Sequence, residues 1–284
     1  MQALLGVTLA AVVAYGAYRT RSLDRSGAIA AILVGSVIFG AGGWQWAVLL
    51  LAFFISSSLL TRAHRDRKRA VNQDYAKAGA RDAGQVLANG GLPALFAVLH
   101  SFFPEQPWAW IGFAASLAAA TADTWATELG VLSHRKPRLI TTFRLVEPGS
   151  SGGISLVGSL AALAGAALIG LLAVLFTFRL QASVFSRQLS PAIDDWTLFT
   201  DYWLLITVAG LLGSLFDSLL GATVQAMYWC PTDQKETERH PLHTCGTPTT
   251  LLRGWPWLGN DWVNLACASF GAAVALAGFA GLTL

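Results

Sequence analysis

One stretch of the chain decides its fold: AAATADTWATELG, at residues 118–130. It is apolar enough to cross a membrane, yet it carries Asp123 and Glu128. An ionised carboxylate inside a bilayer costs roughly 3 kcal/mol or more, so such residues are rare there and mark function. A second apolar run, GSLFDSLLGATVQ at 213–225, places Asp217 in a similar setting. The two stretches therefore predict two membrane helices that direct acidic side chains to one shared site.

Composition indicates the class of protein. The chain has 284 residues, of which 54% are hydrophobic and only 12% charged, whereas a soluble domain carries about 25% charged residues. We therefore expect an integral membrane protein that crosses the bilayer several times. Its cysteines, Cys230, Cys245 and Cys267, indicate no disulfide framework. Because no basic stretch precedes the apolar N-terminus, we expect a retained helix there and not a cleaved signal.

The predicted fold is an all-α, polytopic bundle of about eight transmembrane helices, in a single integral membrane domain over residues 1–284. A span needs about 20 apolar residues, or somewhat fewer where the helix is short. The candidate spans are 2–18, 26–41, 43–60, 84–103, 108–129, 152–178, 201–226 and 259–283. Pro93 predicts a break or kink in the fourth. Because spans five and seven share a small-x-x-Asp pattern, we expect spans five-six and seven-eight to form a parallel repeat.

The basic residues predict the orientation, because Lys and Arg favour cytoplasmic loops. One alternation puts 17 of the 19 Lys and Arg residues on one side. The segments on that side are 19–25, 61–83, 130–151 and 227–258. Asp123 and Asp217 then lie at similar depths, roughly 10–15 Å below the cytoplasmic ends of their helices. The membrane would be that of the endoplasmic reticulum or another organelle in a eukaryote, and the plasma membrane in a prokaryote.

The loop between the fifth and sixth spans has the composition of a phosphate-binding site. Its basic and hydroxyl candidates are Arg135, Lys136, Arg138, Thr141 and Thr142. A glycine-rich run then opens a helix, and its candidates are Ser150, Ser151, Gly152 and Gly153. Backbone amides in such turns and at helix N-termini bind anions. Asn89 and Asn264 are further candidates. The alternative is a solvated basic loop followed by a plain Gly-Ser linker.

Acidic residues beside a phosphate site predict a bridging metal ion. Carboxylates and phosphates repel each other, and Mg²⁺ binds one or two carboxylates together with substrate phosphates. Asp123 and Asp217 are the predicted Mg²⁺ ligands, with Glu128 as the third acidic residue of the catalytic site. Glu128 lies about 140° around the helix axis from Asp123, so pairing with a loop arginine is its alternative role. The alternative for the aspartates is hydrogen bonding between packed helices.

The last predicted loop contains a second group of metal-binding residue types. Cys230, His240, His243 and Cys245 are a possible zinc set, although their spacing matches no common zinc signature. Free thiols are the alternative. The chain has no P-loop, no Gly-x-Ser-x-Gly and no His-Glu-x-x-His motif. No feature indicates nucleic-acid binding.

Five segments together resemble a known family. They are DTWATELG at 123–130, PRLITT at 137–142, PGSSGGIS at 148–155, DSLLGAT at 217–223 and GNDWVN at 259–264. In order and spacing they resemble the family of transmembrane protein 19 and plant phytyl-phosphate kinase, over nearly the whole chain. More distantly, the chain is similar to dolichol kinase and phosphatidate cytidylyltransferase, membrane enzymes that use CTP and Mg²⁺. The 227–258 loop departs from the family's pattern.

The resemblance implies a membrane kinase that converts an isoprenyl monophosphate, of the phytyl or geranylgeranyl type, to the diphosphate. The donor would be a nucleoside triphosphate, CTP in first place and otherwise ATP. The residues agree with Mg²⁺-dependent transfer at the cytoplasmic face. Three alternatives stay open: an ion-coupled transporter, which intramembrane acids also suit, a CTP-dependent cytidylyltransferase-like enzyme, and a lipid-binding protein without turnover.

Overall fold

The computed structural model describes residues 2–63, 79–181 and 195–282. Most basic residues of the predicted 61–83 segment lie outside the described residues, as does much of the connection between the sixth and seventh predicted spans. Over the described ranges the chain forms eight long helices. They are α1 (Gln2–Arg19), α2 (Arg25–Gly42), α3 (Trp44–Arg62), α4 (Ala83–Phe102), α5 (Trp108–Gly130), α6 (Leu156–Gln181), α7 (Asp195–Thr223) and α8 (Asn260–Leu282).

Each predicted span coincides with one of these helices, with ends that differ by a few residues. Within the described part of the chain, five helices are long and apolar enough to cross a membrane: α2, α3, α6, α7 and α8. The protein is therefore mostly helical with several candidate membrane spans. The number of eight spans and the parallel repeat stay predictions.

The central helix of the bundle is α5. All of its residues from Ile111 to Ala122 are buried, as expected for a helix that is apolar on every side. It packs against α3, α4, α6, α7 and α8. In contrast, α1 packs mainly on α2 and exposes apolar side chains such as Leu4 and Val12. An exposed apolar face of this kind is typical of a helix that faces lipid.

Small residues allow α5, α7 and α8 to approach closely. Gly213 of α7 and Gly271 of α8 both face Ala119 of α5. A Cβ atom added at Gly213 would lie 2.6 Å from the Ala119 Cβ, and one added at Gly271 would lie 2.8 Å from it. Membrane helices associate largely through close van der Waals contact, so small residues at such interfaces stabilise the bundle.

Several connections meet at one end of the bundle. Leu23 and Arg81 form an isolated backbone bridge. The Arg62 guanidinium donates hydrogen bonds to the Thr20 carbonyl oxygen and to the Ser22 hydroxyl. The loops that follow α5 and α7 contact each other at this same end, as described below. The described parts of the four predicted cytoplasmic segments therefore share one side of the molecule.

Two small antiparallel sheets correct the all-α prediction. Strand β1 (Arg138–Leu139) pairs with β2 (Gly153–Ile154), which is why α6 begins later than the predicted span. Strand β3 (Met227–Cys230) lies between β4 (Lys235–Thr237) and β5 (Thr250–Arg253). Each strand has at most four residues, too few for the alternating pattern that identifies strands in a sequence.

The fourth helix, α4, continues through Pro93, so of the expected break or kink the break is wrong. It begins at a capping box, in which the Asp82 carboxylate accepts a hydrogen bond from the backbone N–H of Gln85 at 3.0 Å. The helix then continues to Phe102. It packs against both α2 and α5, and neighbouring helices commonly compensate for proline inside membrane helices.

The close packing of α5 and α7 predicts that Gly213→Ala destabilises the protein. The new methyl group must displace Ala119 or the Cys267 carbonyl, and such overpacking costs about 1–3 kcal/mol. Thermal unfolding in detergent measures the effect. The control is Gly16→Ala in α1, where no atom lies within 4 Å of the added Cβ and better helix propensity should slightly stabilise the protein. Equal unfolding temperatures for the two variants would contradict this packing account.

Candidate active site

A polar cavity of about 270 Å³ opens at the end of the bundle where the loops meet. Helices α3 to α8 and the loop after α5 all contribute to its lining. The predicted site residues that it brings together are Asn89, Asp123, Glu128, Ser150, Ser151, Gly152, Gly153, Asp217 and Asn264. Residues far apart in sequence thus converge as the acidic stretches predicted.

Besides Glu128, three carboxylates line this cavity, each from a different element. Asp123 belongs to α5, Asp217 to α7 and Glu238 to the segment after β4. Asp217 interacts electrostatically with both other carboxylates. Its Oδ2 atom is buried and has no hydrogen-bond partner among the described residues. Like charges held together in an apolar bundle are costly unless a cation is close. The donor set therefore fits Mg²⁺, a hard cation that prefers carboxylate oxygens.

Glu128 is turned towards α3 and α4. The Thr61 hydroxyl donates a hydrogen bond to Glu128 Oε1 at 2.6 Å, and Arg81 interacts electrostatically with the same carboxylate. Of the roles considered for Glu128, the structure thus supports a charge interaction, with Arg81 before α4.

Arg81 places a cation at the edge of the cavity. Its guanidinium carbon lies 5.7 Å from the ring centroids of both Phe53 and Phe54. Burial lowers the pKa of the Arg81 guanidinium, and the nearby Glu128 opposes that shift. Arginine nevertheless stays protonated in proteins. A permanent positive charge therefore stands beside the carboxylates, in a place where an anionic ligand would gain most from it.

The glycine-rich loop forms one wall of the cavity because it packs against α7. Gly152 has a φ angle of 81°, and a Cβ atom there would lie 2.5 Å from the Ala222 Cβ, so only glycine fits. The Ser151 hydroxyl donates to Gln225 Oε1 at 2.8 Å, and Gln225 Nε2 donates to Glu238 Oε1 at 3.0 Å. This chain of hydrogen bonds links the loop to the acidic cluster.

The N-terminus of α6 also faces the cavity. The Ser155 hydroxyl accepts a hydrogen bond from the Gly158 amide at 3.1 Å and so caps the helix. Ser155, Gly158 and Ser159 all line the cavity. A helix N-terminus carries a partial positive charge and favours anions such as phosphate.

The other predicted phosphate-binding residues lie outside the cavity lining. They are Arg135, Lys136, Arg138, Thr141 and Thr142, and all are exposed. Lys136 forms an ion pair with Glu147, and the Arg138 guanidinium donates to the Phe143 carbonyl oxygen at 2.8 Å. Their part in substrate binding stays a prediction.

Several lining residues were not among the predicted site residues. Arg81 was counted only as a basic loop residue, although it directly precedes the capping box that starts α4. Gln85 lies in the first turn of that helix, while Gln225 and Glu238 belong to the connection between α7 and α8. No local pattern distinguishes Glu238 from the other charged residues around it.

Fold and site together define an integral membrane protein with an acidic, polar cavity at one end of its helix bundle. Comparison with known proteins is more specific. Residues 8–272 match the family described as integral membrane protein DUF92. The chain belongs to that family, and its composition and candidate spans agree with this assignment.

The relatives confirm the resemblance to the family of transmembrane protein 19 and plant phytyl-phosphate kinase. The chain is 38% identical to protein PGR of Arabidopsis thaliana over 277 residues, 92% of this chain and 90% of that protein. It is 38% identical to the membrane protein MJ0933 of Methanocaldococcus jannaschii over 220 residues, 77% and 81% of the two chains. Protein VTE6, chloroplastic, of Arabidopsis thaliana is 27% identical over 261 residues, 89% and 64% of the two chains. No solved structure matches the chain.

The acidic cluster predicts that Asp217→Asn stabilises the protein when divalent cations are removed. The amide eliminates repulsion with Asp123 and Glu238, and we expect a gain of about 1 kcal/mol. Thermal unfolding in detergent with EDTA measures it. The matched control is Asp201→Asn near the other end of α7, outside the cavity lining, where a change within about 0.5 kcal/mol is expected. A loss of stability in Asp217→Asn would show that the carboxylates do not repel each other.

Proposed function

We propose that the protein is a Mg²⁺-dependent lipid-phosphate kinase. It transfers a phosphoryl group from a nucleoside triphosphate, CTP in first place and otherwise ATP, to an isoprenyl monophosphate of the phytyl or geranylgeranyl type. The reaction takes place at the cytoplasmic face of the membrane. One observation carries the proposal: the acidic cavity adjoins an apolar groove and shares three polar residues with it. The family, which includes plant phytyl-phosphate kinase, supports an isoprenyl acceptor.

The groove has the character of a lipid-tail site. Its volume is about 310 Å³, and α1, α2, α3 and α4 line it almost entirely with apolar side chains. It extends from Phe39 and Trp44, at the far end of the bundle, to Leu23 and Arg81 beside the cavity. A single unbranched or methyl-branched chain would lie along these helices, and its head would then be at the cavity end.

The junction between groove and cavity suits a phosphate head. Arg81, Gln85 and Asn89 line both spaces. A guanidinium and two amides offer donors to phosphate oxygens, and an arginine fork binds phosphate well. The charge and the apolar groove are thus complementary to the two ends of a lipid monophosphate.

Different residues of the cavity would bind the metal ion and the remaining phosphate oxygens. Asp123 and Asp217 would hold Mg²⁺, which neutralises phosphate charge when it is bound. The N-terminus of α6 and the amides around Gly152 face the same space and would hold the other phosphate oxygens. An isoprenyl monophosphate is already largely ionised at neutral pH, so no strong general base is needed. Catalysis then consists of alignment and charge stabilisation, as in phosphoryl transfer generally.

The exposed loop residues would act on the nucleotide. All five candidates, Arg135, Lys136, Arg138, Thr141 and Thr142, are exposed, and Arg138 belongs to the strand that pairs with the end of the glycine-rich loop. We propose that they hold the donor, while the residues at the groove junction hold the acceptor.

The proposed metal site predicts that Asp123→Asn and Asp217→Asn each abolish kinase activity. Loss of a metal-binding carboxylate removes charge stabilisation, and we expect turnover to fall by roughly 10²–10³-fold or more. The assay measures diphosphate formed from phytyl monophosphate with CTP and Mg²⁺ in detergent. Asp201→Asn, the same change on α7 outside the cavity lining, should keep wild-type turnover. Near-wild-type activity in either folded cavity variant would refute the metal assignment.

The proposed tail site predicts that Ala47→Phe shortens the lipids accepted. Ala47 lines the far part of the groove, so a phenyl ring there should exclude the end of a long chain. Because each buried methylene contributes about 0.8 kcal/mol, the KM for geranylgeranyl monophosphate should rise by about tenfold, with little change for geranyl monophosphate. The control is Ile55→Phe, on the exposed face of α3. Equal effects on both chain lengths would rule the groove out as the tail site.

A further inference from the structure

The connection between α7 and α8 contains a second cluster of chemically active side chains, apart from the cavity. Cys230 ends β3, Asp233 lies in the turn before β4, and His243 and Cys245 lie between β4 and β5. Their ligand atoms all lie within 4.8 Å of one another. The two sulfur atoms are 3.5 Å apart, and His243 Nδ1 is 2.9 Å from Asp233 Oδ2.

We propose that Cys230, Asp233, His243 and Cys245 form a structural zinc site. Zinc in proteins takes four ligands in a tetrahedron from thiolate, imidazole and carboxylate groups. With zinc–ligand distances of roughly 2.0–2.3 Å, the ligand atoms of such a tetrahedron lie roughly 3–4 Å apart. In this cluster the distances between ligand atoms include 2.9 and 3.5 Å, and none exceeds 4.8 Å, so they lie around that range. Two thiolates and an imidazole favour zinc over Mg²⁺ or Ca²⁺, which prefer oxygen ligands.

The structure also corrects the ligand set that the sequence suggested. His240 is not part of the cluster: its ring stacks on Tyr228 at 4.4 Å, and its Nδ1 lies 3.4 Å from the Thr249 hydroxyl. Asp233 takes the fourth position instead. The resulting spacing, Cys-x₂-Asp-x₉-His-x-Cys, matches no common zinc signature, so only the fold reveals it.

Both cysteines of the cluster are free thiols, as zinc binding requires. His243 is buried, whereas Asp233 and Cys245 are exposed. The cluster is therefore open to solvent on one side, which gives a metal ion a path of entry. A buried imidazole beside two thiols gains most from a cation that satisfies all of them at once.

A metal ion here would stabilise the wall of the cavity. The same connection contributes Glu238, which accepts a hydrogen bond from Gln225. Arg253 of β5 donates to the Gly221 carbonyl oxygen of α7 at 2.7 Å and pairs with Glu236 of β4 at 3.5 Å. Zinc would cross-link the turns at the outer edge of this sheet. The four ligands are thus positioning residues for Glu238, and their role does not depend on the reaction that the cavity performs.

The experiment measures zinc in the full-length protein, purified with reducing agent and without chelators, then incubated with zinc and desalted. Elemental analysis should find about one zinc ion per chain. Cys230→Ser and His243→Gln should lose most of it. His240→Gln and Cys267→Ser, which change the same residue types outside the cluster, should retain it.

Cobalt provides a second measurement that does not depend on variants. Co²⁺ added to chelator-treated wild-type protein should produce the visible absorption and the thiolate-to-metal band of a tetrahedral site, and zinc should displace it. The wild-type protein should also expose two additional reactive thiols after chelation. Three results would each overturn the proposal: no zinc and no cobalt spectrum in protein with free thiols, a Cys230–Cys245 disulfide in the purified chain, or equal metal loss in His240→Gln and His243→Gln.

Discussion

Asp217 is held close enough to Asp123 and Glu238 to be repelled by both, and the packing of the bundle has to accommodate this repulsion. An apolar bundle does not hold three neighbouring carboxylates without compensation, and the packing of the bundle forces them together. Gly213 and Ala119 allow α5 and α7 to approach closely, so the aspartates of these two helices share one cavity. A divalent cation would turn this unfavourable arrangement into a binding site for phosphates. On our proposal, the close packing of the helices thus creates the acidic cluster, and the cluster in turn supports phosphoryl transfer.

The sequence predicts those features that have a strong local signal. Long apolar runs coincide with the helices, because the bilayer demands about 20 apolar residues for each span. Asp123 and Asp217 stand out because a carboxylate inside such a run is costly. The glycine-rich loop is recognisable for a similar reason, since Gly152 adopts a backbone angle and makes a contact that no other residue permits. Both aspartates and the glycine-rich loop line the cavity.

The features that the sequence did not predict depend on contacts between distant segments. Arg81 joins the site only because the segment before α4 packs beside α3 and α5. Glu238 reaches the cavity only through the small sheet between α7 and α8, whose strands are too short to recognise. In the same sheet region, Asp233 belongs to the candidate zinc cluster, whereas His240, which the sequence suggested, stacks on Tyr228 instead. The apolar groove has no counterpart in any single stretch, since four helices form it together.

A labelled nucleotide shows which phosphate of the donor reaches the lipid. The purified protein would receive geranylgeranyl or phytyl monophosphate with Mg²⁺ and CTP labelled either at the γ-phosphate or at the α-phosphate. We predict that only the γ label enters the lipid, as a diphosphate, and that EDTA prevents its transfer. Incorporation of the α label would instead indicate cytidylyl transfer. Folded protein that transfers neither label, from CTP or from ATP, would contradict the account.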